Sequence, residues 1–143
     1  MRSVLTLTLA MVAVTAFAQS GQRLFKVHTV LDLTPGRVDG MLGKPRSIGE
    51  EGKFREYAAK TAGIYVGFRS GKARTVVVTF LTPFSRPTDA AAALGIDVSK
   101  AKPKRKTISE REWRNVDGIP YIHMSSSDGR LWETIEVGEV PRQ

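Results

Sequence analysis

Two stretches of the chain carry the same order of signals, and that order limits the fold more than any single residue does. In the first, Val38, Met41 and Leu42 fall at i, i+3 and i+4, the spacing of one helical face. Thr34 is placed to accept a hydrogen bond from a first-turn amide, and Pro35 suits the first helical position. Gly43 can take the left-handed conformation that ends a helix, and Pro45 prevents a restart. In the second stretch, Thr88 or Asp89 is the expected cap, alanines 90–93 fill the helix, and Leu94-Gly95 repeats Leu42-Gly43. Three strand-like stretches follow each helix: 54–59, 63–68 and 73–80, then 108–115, 118–124 and 131–137. Gly63-Ile64 and Gly118-Ile119 open the middle strands, and Ser70-Gly71 and Asp128-Gly129 supply turns. The expectation is an α+β fold of duplicated αβββ units, about 34–80 and 87–137, with short helices packed on one face of an antiparallel sheet. Alternating Phe25, Val27, Leu31 and Leu33 predict a lead-in strand over 25–33. Trp113 matches the neighbourhood of Tyr57 in the repeat and is expected in the core.

Upstream of the repeat, Arg2 precedes an apolar run over 4–14. Ala16-Phe17-Ala18 and polar Gln19-Ser20-Gly21 follow. This is the pattern of a cleavable secretory signal peptide. Residues 1–18 are therefore expected as the signal and 19–143 as a single domain, secreted to the periplasm or outside the cell. The run is shorter than the roughly 20 residues that span a bilayer. No second one follows, so no transmembrane segment is expected in the mature chain. Cysteine is absent, which excludes disulfides, cysteine-ligated zinc and lipid attachment through an N-terminal cysteine. The domain must be held by its core. The net charge of +8 raises nucleic acid as a partner, but export argues against it. Anionic envelope surfaces, acidic polymers or an acidic protein fit better.

Strand alternation divides the side chains between two faces. Ile64, Val66, Phe68, Val76, Val78, Phe80, Ile122, Met124, Leu131, Ile135 and Val137 fall on one side. If the helices cover them, the other face presents Tyr65, Thr75, Val77, Thr79, Tyr121, His123, Trp132 and Thr134. It is expected to be poor in charge and rich in aromatics, with Tyr65, Val77, Tyr121, His123 and Trp132 as the candidate binding face. Threonine and aromatic residues also favour strands for their own sake, so an ordinary sheet surface has the same composition. A second candidate is the linker carrying Lys100, Lys102, Lys104, Arg105 and Lys106, which could attach to an anionic surface. Such charge runs are commonly just solvated.

Catalytic and metal motifs are lacking. His28 and His123 are the two histidines, without His-x-His or His-Glu-x-x-His spacing. Ser125, Ser126, Ser127 and Asp128 after His123 suit a polar hairpin turn better than a catalytic set. No Gly-x-Ser-x-Gly elbow or phosphate-binding glycine loop occurs. Glu50-Glu51 sits in a predicted loop with no apolar setting to shift a pKa. No catalytic residue, metal site or cofactor is assigned.

The run Thr34-Pro35-x-x-Val38-x-x-x-Leu42-Gly43-Lys44-Pro45 resembles the opening of the SmpA/OmlA (BamE) and β-lactamase-inhibitor-protein-like group. The resemblance covers about a dozen residues closely and the helix-then-strands order loosely. It implies a small exported domain with helices on an antiparallel sheet that binds other proteins. The chain lacks the lipid-bearing cysteine of one branch and the paired cysteines of the other. The expected function is a non-catalytic, exported protein-binding or envelope-assembly domain that uses an open sheet face. The alternative is a basic module that binds anionic cell-envelope polymer, and the third reading is an exported hydrolase.

Overall fold

The computed structural model describes residues 23–142; the expected signal, 1–18, lies outside the described residues. In chain order come a 3-10 turn (Val27–Thr29), α1 (Pro35–Leu42), β1 (Ser47–Gly49), a second 3-10 turn (Glu50–Gly52), β2 (Phe54–Ala58), β3 (Ala62–Arg69) and β4 (Lys72–Phe84). Then follow α2 (Pro87–Ala93), β5 (Arg105–Lys106), β6 (Glu110–Val116), β7 (Ile119–Ser125) and β8 (Trp132–Gly138). The strands form one eight-stranded sheet in the order β1-β2-β3-β4-β8-β7-β6-β5. Every neighbouring pair is antiparallel. The α+β class holds, and among the described residues no helix is long and apolar enough to cross a membrane.

Core packing follows the alternation. Across the centre, Val66 pairs with Val76, Val76 with Val137, and Val137 with Ile122. One pleat away, Ile64, Val78, Ile135 and Met124 form a parallel row. All eight side chains are buried, together with Tyr57 and Trp113 on the flanking strands. The helices cover this face with Val38, Ala90, Ala91 and Ala93. Helices this short have no stability of their own and depend on packing. Asp39 anchors α1, accepting from the Arg55 guanidinium and, at 2.7 Å, from the Tyr57 hydroxyl, both on β2.

Several local expectations change. Residues 25–33 are not a strand: Val27 and Val30 are both fully buried three positions apart, the repeat of a 3-10 turn. The segment bonds instead to the end of α2 (Leu24 N–H to Ala93 O, 2.7 Å; Val27 N–H to Leu94 O, 3.0 Å) and to Ala73 on β4. Neither helix has a side-chain cap. Thr34 is extended as a cap should be but makes no such bond, and the α2 cap position is Arg86 rather than Thr88 or Asp89. Glycines mark both stops, Gly95 at φ 72° and Gly43 at φ 90° and ψ −171°, the latter outside the left-handed helical well expected for it. The edge strands β1 and β5 are additions, and β5 lies inside the supposed linker, so Arg105 and Lys106 are strand residues. Ser70-Gly71 turns the β3–β4 hairpin with both residues at positive φ. Gly118, at φ 75°, belongs to the β6–β7 turn, whereas Gly63 lies inside β3 opposite Thr79; the two Gly-Ile pairs therefore occupy different places.

Candidate functional site

The face of the sheet away from the helices is the candidate site. Cross-strand partners share a face, so the register defines its rows. The central row runs Ser47, Glu56, Tyr65, Val77, Glu136, His123, Glu112, Arg105, one residue from each strand in spatial order. On one side lie Phe54, Gly67, Thr75, Gly138, Tyr121 and Arg114; on the other, Ala58, Gly63, Thr79, Thr134, Ser125 and Glu110.

The five proposed binding residues divide. Tyr65 is 37% exposed and stacks on Phe54 with ring centroids 5.2 Å apart. Val77 is half-buried beside it, and His123 is half-buried across the sheet. Tyr121 keeps the expected side but is only 7% exposed. The Arg114 guanidinium lies 4.7 Å from its ring centroid, and the ring stacks on His123 at 6.2 Å. Its cross-strand partner is Gly138, which adds no side chain to that row. Trp132 is 3% exposed and joins the core. It starts β8 opposite Phe84, beyond an irregular stretch of β4 between Thr79 and Phe84, so the alternation of Ile135 and Val137 does not extend back to it. Its ring lies 4.9 Å from the guanidinium of Arg111, the partner of buried Met124. The expected exposed aromatic cluster thus reduces to Tyr65 with Phe54.

The face is also not poor in charge. Glu56, Glu112, Glu136 and Glu110 lie on it. Arg114 pairs with Glu112 at 2.6 Å and Arg105 with Glu110 at 3.3 Å. Glu56 accepts from the Ser47 hydroxyl at 2.8 Å. Burial, and then the carboxylates of Glu50 and Glu56, push the Tyr65 hydroxyl above its usual range; burial and then Glu136 and Glu112 do the same for Tyr121. Both phenols stay neutral donors at physiological pH. A depression of about 220 Å³ opens beside Tyr65, lined by Arg46, Glu56, Gly63, Val77 and Thr79 among others. Gly63 lines it without a side chain, and nothing lies within 4 Å of where its Cβ would stand. Sequence reasoning missed Arg46, Phe54 and Glu56. The alternation of Phe54 and Glu56 was visible in β2, but the face it joined depended on the β2–β3 register.

The serine run is a turn. Ser126 Oγ donates to Asp128 and accepts from the Gly129 amide, while Asp128 also accepts from the amides of Arg130 and Leu131. Those backbone bonds hold the Asp128 carboxyl below its usual range. His123 Nε2 lies 3.8 Å from Glu110, with carboxylates of Glu112 and Glu136 on the strands either side. Among the described residues, no group of three or more metal-type ligands converges. The five cationic candidates Lys100, Lys102, Lys104, Arg105 and Lys106 are all exposed, and Arg105 and Lys106 form the edge strand β5.

No family model matches the chain, and no curated protein matches it. Among solved structures, the chain is similar to a cysteine-rich secretory protein from Staphylococcus aureus subsp. aureus Mu50. The TM-score is 0.45 at 9% identity, over 80% of this chain and 45% of that one, a likeness too distant to carry a fold or functional argument.

Proposed function

We propose that this is an exported, non-catalytic binding domain that engages a protein partner through its uncovered sheet face, centred on Tyr65. One observation carries the reading. The sheet is sealed by helices and the lead-in segment on one side, while the other exposes an aromatic pair and a depression bounded by Glu56 and Arg46. Tyrosine supplies large contact area at small entropic cost, which makes Tyr65 the anchor. A photo-crosslinking side chain at position 65 tests this in the native host. A discrete protein adduct from position 65, absent from the exposed control position 72, is the expected result. Identical labelling from both positions would remove the open face as the contact.

The duplication belongs to the same reading. Four strands on each side of the β4–β8 junction run in mirrored order. Both helices start with proline at the first turn. Under this reading Tyr57 corresponds to Trp113, Glu56 to Glu112 and Tyr65 to His123, since Glu56 pairs with Tyr65 as Glu112 does with His123. The likeness to the BamE and inhibitor-protein group accords with a sheet-based binding module.

A further inference from the structure

The segment between α2 and β6 is a poor match for a slack, solvated loop. The Ala101 amide donates to Val98 O at 3.1 Å, Trp113 Nε1 donates to Ala101 O at 3.2 Å, and the Lys104 amide donates to Glu112 O at 2.7 Å. Arg105 and Lys106 pair with β6. Ala101 and Pro103 are half-buried, while Lys100, Lys102, Lys104 and Lys106 stand exposed at alternate positions. The backbone is held by the fold, and only the charged side chains are free.

Of the nearby carboxylates, the two glutamates have cationic partners outside the lysines, while Asp97 lies close enough to Lys100 to feel its charge. Glu110 and Glu112 face Arg105 and Arg114, and Asp97 accepts from the amide and hydroxyl of Ser99 at 2.9 and 2.6 Å. Among the described residues, no lysine takes part in an ion pair. Lysines on an edge strand also discourage sheets from joining edge to edge. Here that role needs only Arg105 and Lys106, on a strand already too short to template another. Lys100 and Lys102 precede the residues whose backbone bonds to that of β6 and guard no ladder. Arg105 and Lys106 lie on the outermost strand of the sheet, and Lys100, Lys102 and Lys104 lead into it. The exposed apolar neighbour Ile108 lies against the Gly129 turn.

We propose that the Lys100–Lys106 tract is a second interaction surface, independent of the Tyr65 face, that holds a linear polyanion bearing phosphate groups. A chain ligand can contact successive cationic groups along such a tract and release counterions as it does so.

The test titrates the full chain with long-chain polyphosphate at 50 and 200 mM salt, by calorimetry. Affinity should fall about tenfold or more between the two salts. Replacing Lys100, Lys102, Lys104 and Lys106 together by Gln should weaken binding about tenfold at 50 mM salt. The charge-matched control, Lys44, Lys53, Lys60 and Lys72 to Gln, should change it less than about threefold, since those exposed lysines lie elsewhere. The double variant Lys102→Gln/Lys104→Gln, which leaves the paired strand untouched, should show an intermediate loss. Equal weakening by the two quadruple variants would reduce the effect to net charge and overturn the site. Absence of polyphosphate binding at 50 mM salt would also overturn it. So would tract-dependent binding to phosphatidylglycerol vesicles without binding to the soluble chain, which would make the surface a membrane contact.

Discussion

Three aromatic side chains that share strand parity on paper have three different surroundings, and their stability costs should separate accordingly. Trp132 is core, so Trp132→Ala should cost about 3–5 kcal/mol. Tyr121 is buried under the Arg114 guanidinium rather than in the core. Tyr121→Ala should cost about 2 kcal/mol, the sum of lost ring burial and cation–π contact. Tyr65 is the most exposed of the three, and Tyr65→Ala should cost about 1 kcal/mol or less. Urea unfolding of the three variants checks the order. A Tyr65→Ala loss equal to that of Trp132→Ala would make Tyr65 a packing residue and remove the anchor. None of this ordering follows from alternation, because it depends on which neighbour lies over each ring.

At the scale of elements, α1 is held to the sheet by buried Val38 and by one carboxylate, Asp39. The hydrogen bond from Arg55, opposed by desolvation and aided by the Tyr57 hydroxyl, holds Asp39 below its usual carboxyl range. A carboxyl with a depressed folded pKa stabilises the fold above its unfolded pKa. That contribution disappears as pH falls through the folded value. The advantage of the parent over Asp39→Asn should therefore be full at neutral pH, about 1 kcal/mol for a partly exposed charged bond. It should shrink as pH drops below the usual carboxyl value of 3.8. Urea midpoints of both proteins between pH 7 and pH 3 check this. A gap that stays constant with pH would assign the loss to packing of α1 and not to its ion pair. The helix itself was legible from Val38, Met41, Leu42 and Gly43, whereas Asp39 was not, since its partners lie sixteen and eighteen residues away.

At the scale of the molecule, the two halves of the sheet meet only where β4 pairs with β8. That seam carries Val76, Val78, Ile135 and Val137, all fully buried. The lead-in segment further bonds to both α2 and β4. Neither half can bury its share of this core alone. A fragment of residues 34–86 should show no cooperative unfolding transition by circular dichroism, while the full chain should unfold in one step with coincident fluorescence and dichroism midpoints. Independent folding of the fragment would place the stability inside one unit.

Local sequence determined much of this. Proline at the helix starts, glycine at the stops, the Ser70-Gly71 turn and the alternating valines each act within a few residues, where steric limits on φ and ψ and side-chain period decide the outcome. Most of the buried aliphatic face was legible for the same reason, although Leu131 is exposed and Phe68 only half-buried. The tertiary structure alone decided the β2–β3 register that brings Glu56 beside Tyr65, the irregularity in β4 that leaves Trp132 to the core, and the pairing that turns Arg105 and Lys106 into an edge strand. These outcomes depend on contacts between residues distant in the chain. A one-residue difference in register exchanges the two faces of a strand, so the character of the open face is a property of the assembled sheet.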